Sequence, residues 1–179
     1  MSELFIFDTE TTSLKEPTII QFAYIICDNN GKIIEEYNKY WNTTEPISTV
    51  SQHIHNINED FLIQNGVDPI IELELIKKKI LNCKKLIAHN IEFDIKAINW
   101  TRKGLGLPLF NFNNTFCTMR RSQYFVGIYN DKGWIKWPKL IELYNFLGGE
   151  VDKDKLHDAM EDVKVLKECY FLAKEKGFW

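Results

Sequence analysis

The sequence predicts a mixed α/β fold, organised as one domain over residues 1–179. Two apolar segments near the start have the character of strands, and the rest of the chain alternates short strand-like segments with helix-like ones. No internal repeat, low-complexity tract or linker divides the chain. The final helix is the clearest element, with one apolar stripe at spacings of three and four residues: Ala159, Val163, Leu166, Tyr170 and Ala173.

The first part of the chain predicts three strands. Leu4–Phe7 is a continuous apolar run, typical of a strand buried on both faces. Thr18–Cys27 is a second strand, and the turn signal Asp28–Gly31 indicates that Lys32–Trp41 returns beside it as a hairpin. The polar stretch 43–68 predicts irregular structure with one short helix.

Helices and short strands then alternate up to the final helix. The expected elements are, in chain order, helix Pro69–Leu81, strand Leu86–His89, helix Glu92–Lys103 closed by Gly104, a strand around Phe116 and Cys117, and helix Trp137–Leu147 ended by Gly148 and Gly149. We expect Gly177 to cap the final helix.

Composition excludes several classes of protein. Hydrophobic residues make up 45% and charged residues 26% of the chain, an ordinary globular balance. No apolar run approaches the ~20 residues of a membrane span, and the start lacks a signal peptide, so we expect no membrane partner and a cytoplasmic location. The net charge of -3 argues against extensive nucleic-acid binding, although not against an enzyme that holds only a strand end. The cysteines are scattered, which argues against zinc or disulfides: Cys27, Cys83, Cys117 and Cys169.

Acidic residues stand where the patterns predict buried surface. Asp8 and Glu10 follow the strand Leu4–Phe7 and share one face, because strand side chains alternate. Asp94 lies in or beside the apolar stripe of its helix, and Asp162 lies within that of the last helix. Taken alone, the first pair is better explained by a strand-end turn with helix-capping acids, and Asp94 by the helix dipole. Neither explains Asp162, which the pattern places mid-helix.

Together, these four carboxylates favour a site for divalent metal. A buried unpaired carboxylate is costly, and oxygen ligands favour Mg²⁺ or Mn²⁺ over zinc. Two such ions form the usual clamp for displacement at phosphorus. His157 precedes the last helix and by itself fits a capping or surface residue; beside the acids it becomes a candidate base. Asp158 fits a helix cap.

Three short motifs resemble those of the DnaQ-like exonucleases, members of the ribonuclease-H-like superfamily. They are Phe7–Leu14, His89–Asp94 and His157–Asp162. The histidine five residues before the last aspartate marks the DEDDh branch. Their order and spacing extend the resemblance over almost the whole chain, from residue 4 to about residue 175.

This resemblance implies a ribonuclease-H-like fold, with a five-stranded mixed sheet flanked by helices. It implies a 3′→5′ exonuclease that hydrolyses single-stranded DNA or RNA from the 3′ end to nucleoside 5′-monophosphates. Asp8, Glu10, Asp94 and Asp162 would hold two Mg²⁺ or Mn²⁺ ions, with His157 as general base. The 2′-hydroxyl that separates RNA from DNA leaves no readable signal in one sequence.

The resemblance also implies seven substrate-binding residues: Thr9, Thr11, Thr12, Leu14, His55, Asn90 and Phe93. A polar turn with a core leucine explains the loop residues equally well, a surface histidine explains His55, and a core ring explains Phe93. Ser13 replaces the usual glycine, and Asn56 and Asn58 depart from the pattern beside His55. These departures leave the choice of substrate open.

Two further alternatives stay open at this point. The aromatic residues of segment 124–137 could stack on bases, or form the surface of a hydrophobic subdomain, which we favour slightly. The domain could also be an interaction or nucleic-acid-binding module within a polymerase or repair complex. The intact set of acids argues against a degenerate relative, and the lack of a long tail after Trp179 weakens the version with a polymerase tether. A homodimer is compatible with the sequence.

Overall fold

The computed structural model of the chain describes residues 3–150 and 157–179, and in these residues five strands form one mixed sheet. Across the sheet the strands are β3 (Ile33–Tyr40), β2 (Ile19–Cys27), β1 (Leu4–Thr11), β4 (Lys85–Ala88) and β5 (Thr115–Cys117). Strand β2 is antiparallel to both β1 and β3, whereas β4 is parallel to both β1 and β5. The five-stranded mixed sheet implied by the resemblance is confirmed.

Helices cover both faces of this sheet. They are α1 (Thr49–His55), α2 (Glu59–Asn65), α3 (Pro69–Asn82), α4 (Ile91–Gly104), α5 (Thr118–Val126), α6 (Leu140–Phe146) and α7 (Ala159–Glu175). On one face, Phe5 and Phe7 of β1 belong to a core cluster with residues of α3 and α4. On the other face, Leu4 and Ile6 pack with α7. Among the described residues, no helix combines the length and apolar character needed to cross a bilayer.

Strand β1 is longer than its apolar run. The sequence predicted an end at Phe7, but pairing with β2 continues through Asp8↔Ala23 and Glu10↔Gln21. The acidic residues therefore lie within the strand and not after it. The reason is that backbone hydrogen bonding to β2 does not depend on whether a side chain is apolar.

The helix predicted to close at Gly104 instead includes that residue. The chain reverses at Gly106, whose φ of +70° is the left-handed conformation that glycine adopts readily. Gly106 N–H donates to the carbonyl of Lys103 at 3.1 Å, and Leu107 N–H donates to that of Arg102 at 2.8 Å. This pair of bonds ends the helix and satisfies its last carbonyls. Gly177 ends α7 in the same way, as predicted.

Other segments differ from their predictions. The stretch 43–68 contains two short helices, α1 and α2, where one was expected. Helix α5 was not predicted, because its fully buried residues are the polar Thr118 and Ser122. Helix α6 begins at Leu140 and not at Trp137, because a residue before proline disfavours helical backbone and Pro138 follows Trp137.

Trp41 joins β3 to the core beside α3. Its side chain has no exposed surface and stacks on Phe22 with ring centroids 5.5 Å apart. Its indole Nε1–H donates to the hydroxyl of Tyr37 at 3.1 Å. Its backbone also bridges to Val67, so the segment after α2 is held at the edge of the sheet.

We expect Trp41→Ala to lower the free energy of unfolding by about 3–5 kcal/mol, because it empties a fully buried site and removes a hydrogen bond. Urea denaturation of both proteins would measure the difference. Trp134→Ala is the matched control, since that side chain is 70% exposed and should change stability by less than about 0.5 kcal/mol. Equal losses in the two variants would contradict the assigned core.

Candidate active site

Three carboxylates meet on one face of β1. Asp8 and Glu10 project on the same side of the strand as Leu4 and Ile6, the side on which α7 packs. Asp162 lies in the first turn of α7, so the prediction that the helix dipole cannot act on this acid is wrong. One oxygen from each acid lies within 4.8 Å of the others. Residues 154 positions apart in sequence thus form one cluster, because α7 covers the carboxylate-bearing face of the strand.

Asp94 reaches this cluster from the opposite side. It lies in the first turn of α4, is 3% exposed, and accepts a hydrogen bond of 2.8 Å from the hydroxyl of Thr9. Among the described residues, it is outside the set whose oxygens all lie within 4.8 Å. Its charge nevertheless raises the pKa of both Asp8 and Glu10. The Thr9 side chain therefore orients a carboxylate, a contact that the sequence did not predict.

The acids of this cluster have raised pKa values. Burial, followed by repulsion from neighbouring carboxylates, raises the pKa of Asp8 well above its usual range and that of Glu10 to about 9. Burial raises the pKa of Asp94 to about 7, against the hydrogen bond from Thr9, and that of Asp162 to about 6. Converging carboxylate oxygens whose pKa values are all raised fit a hard divalent cation, whose charge would favour the ionised form.

The start of α7 is anchored to the sheet by Gln21. Asp158 caps the helix, as predicted, by accepting hydrogen bonds from the N–H groups of Met160 and Glu161. Gln21 Nε2 donates to Asp158 Oδ2 at 2.9 Å, and its Oε1 accepts from Ala159 N–H at 3.4 Å. The sequence analysis missed Gln21. The available signal was an amide side chain within the otherwise apolar strand β2.

The structure places His157 beside Asp162. His157 is exposed, has a left-handed φ of +72°, and donates its backbone N–H to Asp162 Oδ2 at 3.3 Å. Its charge also acts on His55, whose pKa is lowered mainly by burial and less by His157. His55 is only 8% exposed and accepts a hydrogen bond from Ile57 N–H through Nδ1. The interpretation of His55 as a surface residue is therefore wrong.

The loop after β1 presents Leu14 to solvent. Thr11 and Thr12 are buried, and their hydroxyls donate to backbone carbonyls of the same loop, so they form a polar turn. Leu14 is 67% exposed, which excludes a core leucine. Lys96 of α4 holds the loop, because its Nζ donates to the carbonyl of Leu14 at 3.1 Å.

The start of α4 carries the remaining predicted residues. Asn90 is exposed and its side chain makes no capping hydrogen bond, while Phe93 is half-buried. His89 Nε2 lies 2.9 Å from the carbonyl oxygen of Pro138, and its Nδ1 lies 3.0 Å from Thr118 Oγ1. A carbonyl can only accept, so Nε2 carries the proton. Burial lowers the pKa of His89 to about 4, which keeps it neutral.

The aromatic residues of segment 124–137 fall into two groups, one packed in a hydrophobic subdomain and one exposed. Phe125 stacks on Phe178 with ring centroids 4.4 Å apart and packs against Phe146, as expected for a hydrophobic subdomain. The other four rings are more than half exposed: Tyr124, Tyr129, Trp134 and Trp137.

A five-stranded mixed sheet whose central strand and last helix share a carboxylate cluster defines a nuclease domain of the ribonuclease-H-like superfamily. Residues 5–170 match the exonuclease family that includes ribonuclease T. The chain therefore belongs to this 3′→5′ exonuclease family, as the resemblance implied, and its class is that of nuclease hydrolases.

Two curated relatives of the chain are named DNA polymerase III PolC-type. It is 30% identical over 178 residues to DNA polymerase III PolC-type of Caldanaerobacter subterraneus, a match that covers 97% of this chain and 12% of that protein. It is 36% identical over 110 residues to DNA polymerase III PolC-type of Ureaplasma parvum, covering 59% of this chain and 8% of that protein. The chain thus spans about an eighth or less of these relatives.

Solved structures share the fold across nearly the whole chain. E. coli exonuclease I in complex with a dA16 oligonucleotide superposes with a TM-score of 0.79 at 19% identity, covering 98% of this chain and 41% of that one. Exonuclease I of Methylocaldum szegediense gives a TM-score of 0.81 at 16% identity, with the same coverage of 98% and 41%. At such low identity, these likenesses show the fold alone.

Without divalent cations, we expect the melting temperature to fall as pH rises from about 5 to about 8. Unfolded carboxyls lose their protons near pH 4, whereas the folded pKa values of Asp162, Asp94 and Glu10 are about 6, 7 and 9. The folded state binds more protons throughout this window, so deprotonation destabilises it. Thermal unfolding in EDTA and in Mn²⁺, at three pH values, measures the effect.

Mn²⁺ should stabilise the protein most at the highest pH, where the acids would otherwise repel one another. Glu10→Gln removes one titrating group and should flatten the pH dependence in EDTA. A melting temperature in EDTA that does not change between these pH values would contradict the raised pKa values of the acids. So would a Glu10→Gln variant that keeps the full pH dependence.

Proposed function

We propose that residues 1–179 form one exonuclease domain that removes nucleoside 5′-monophosphates from the 3′ end of single-stranded DNA. The observation that carries this proposal is the convergence of Asp8, Glu10 and Asp162, with oxygens within 4.8 Å and raised pKa values. Acids so placed destabilise the folded protein by themselves, and a bound divalent cation removes that cost. Membership of the exonuclease family supplies the reaction class.

Asp8, Glu10 and Asp162 would hold the Mg²⁺ or Mn²⁺ ions, and Asp94 would complete the set from α4. When bound, two such ions supply a polarised water and charge stabilisation at the phosphate. By holding these ions, the carboxylates would place the reacting phosphodiester at the end of β1. Thr9 holds Asp94 in orientation through its hydroxyl.

His157 would act as general base. Its backbone contact with Asp162 places it at the edge of the cluster, and its exposure lets a proton leave to solvent. It takes a proton from water as the water oxygen attacks the terminal phosphorus. The bond between phosphorus and O3′ breaks, the upstream strand gains a proton on its new 3′-hydroxyl, and the terminal nucleotide leaves as the 5′-monophosphate.

The terminal nucleotide would bind between the loop after β1 and the start of α4. Leu14 offers an exposed apolar side chain on the loop, and Asn90 and Phe93 lie with Asp94 at the start of α4. Thr11 and Thr12 support this loop from within. His55 would border this nucleotide pocket with a buried ring, whose pKa is lowered mainly by burial.

DNA is the favoured substrate over RNA. Structures of E. coli exonuclease I with the same fold contain the DNA oligonucleotides dA16 and dT13. The curated relatives are named DNA polymerases, with which the chain shares sequence over 57–97% of its length. The same likeness favours a second candidate function, in which the domain proofreads in association with a polymerase.

Incubation of 5′-labelled single-stranded DNA with the protein and Mg²⁺ or Mn²⁺ should give a ladder that shortens from the 3′ end. Asp162→Asn should reduce the rate at least about 100-fold, because it removes a carboxylate from the cation site. The surface variant Asp60→Asn, in α2, is the matched control and should keep full activity.

Equal rates for Asp162→Asn and the control would refute the assigned site. An RNA oligomer of the same sequence, run in parallel, tests the substrate, and faster RNA trimming would replace DNA in the proposal. A primer–template assay with added polymerase tests proofreading, which predicts preferred removal of a mismatched 3′ nucleotide.

His157→Ala should lower kcat on single-stranded DNA by about 100-fold or more, with KM little changed, because the base acts only during the chemical step. Its pH–rate profile should lose the acidic limb between about pH 5 and 8 that a histidine base produces. His53→Ala is the matched control, since His53 is also exposed. A fall in both variants, or an unchanged acidic limb in His157→Ala, would exclude the base.

A further inference from the structure

Residues 118–139, here called the arm, differ in charge from the rest of the chain. They contain five basic residues, Arg120, Arg121, Lys132, Lys136 and Lys139, and one acidic residue, Asp131. The arm therefore has a net charge of +4, although the whole chain has a net charge of -3. Such an asymmetry produces a local positive potential that attracts polyanions.

The arm also exposes four aromatic rings within 14 residues of chain. The exposed fractions are 79% for Tyr124, 66% for Tyr129, 70% for Trp134 and 52% for Trp137. Large aromatic side chains usually bury most of their area, so this concentration on a surface requires an explanation. Ordered exposed rings beside cations are typical of surfaces that bind single-stranded nucleic acid.

An ordered hairpin holds the outer rings away from the core. Asn130 N–H donates to the carbonyl of Trp134, and Lys136 N–H donates to that of Ile128, each at 2.9 Å. Asn130 Oδ1 closes the turn by accepting from the N–H groups of Lys132 and Trp134 at 3.0 Å. The rings therefore lie on a fixed scaffold, which lowers the entropy lost when a ligand binds.

Three contacts fix the arm to the catalytic edge. His89 links to its two ends, since its carbonyl accepts from Met119 N–H at 3.0 Å and its Nε2 donates to the carbonyl of Pro138 at 2.9 Å. Arg120 forms an ion pair of 3.2 Å with Glu92 in the first turn of α4. Asp94 follows in the same turn, so the arm extends from the place where a scissile phosphate would bind.

Arg120 connects this anchor to the nearest exposed ring. Its guanidinium lies 5.8 Å from the centroid of Trp137, within the range of a cation–π contact. Arg121, Lys132 and Lys139 of the arm are also exposed and take part in no ion pair among the residues that the structure describes. The arm therefore carries cations as well as exposed rings.

We propose that the arm binds the single-stranded DNA upstream of the terminal nucleotide, with bases stacked on Trp137, Trp134 and Tyr129 and phosphates paired with the basic side chains. This inference rests on the proposed exonuclease function and assigns the binding surface for its substrate. The charge of the arm complements a polyanion, and its rings suit bases of any identity, because every base has a flat π face. The arm would therefore increase affinity with length and not with sequence.

The test compares long and short ligands in an Asp8→Asn background, where cleavage is suppressed. Fluorescence anisotropy measures the Kd of a labelled twelve-nucleotide DNA, and competition measures that of a dinucleotide. Trp134→Ala and Trp137→Ala should each weaken the long ligand by about tenfold and the dinucleotide by less than about twofold. Leu81→Ala, which removes a 65% exposed side chain of α3, is the matched control.

Charge is tested separately. Lys132→Ala should reduce the slope of log Kd against log salt concentration for the long strand. The reduction should correspond to about one released counterion. Lys78→Ala, an exposed lysine of α3 outside the arm, should leave the dependence unchanged. Circular dichroism and melting temperature confirm that each variant is folded.

Equal affinities of the tryptophan variants and the Leu81→Ala control for the long strand would overturn the inference. So would an equal loss on the long strand and the dinucleotide, because the arm would then act on the terminal site. Hydrolysis of the p-nitrophenyl ester of thymidine 5′-monophosphate by the chain with native Asp8 distinguishes the two proposals. Failure of that hydrolysis would contradict the exonuclease function. The binding comparison tests separately whether the arm binds the strand.

Discussion

Burial of several carboxylates together at the end of β1 is the constraint on which the surrounding structure depends. Asp8 and Glu10 are held in place by pairing of β1 with β2, and Asp162 is brought to them by the apolar packing of α7. Burial raises the pKa of Asp8 more than any neighbouring charge does. The free-energy cost of ionising this acid is therefore set mainly by the fold. The hydrophobic core thus provides the energy that holds together a site which destabilises the protein until a cation binds.

Neutral polar contacts fix the elements around this cluster. Gln21 ties the first residues of α7 to β2, and Thr9 orients Asp94 from the opposite face of β1. His89 joins the end of β4 to the segment before α6 while remaining uncharged. Such groups position the acids without adding charge, which would compete with a bound cation for the carboxylate oxygens.

The sequence patterns mispredicted some helices and helix ends. The reason was either the backbone geometry of a helix end or the burial of polar side chains. Helix α5 buries Thr118 and Ser122, so an apolar periodicity could not reveal it. The reversal after α4 occurs at Gly106 because the last carbonyls of the helix are satisfied there, and a nearby glycine misled the prediction. The late start of α6, by contrast, was readable, because Pro138 disfavours helix at Trp137.

The sequence by itself determined the order of strands and long helices, the four acids, and the family, because local periodicity and motif spacing carry that information. Only the tertiary structure decided which acids meet: Asp8, Glu10 and Asp162 share one oxygen cluster, while Asp94 approaches from the other side of the strand. It also decided that Leu14 is exposed and that His55 is buried. Distances between residues far apart in the chain depend on how helices pack on the sheet, and no local pattern records that packing.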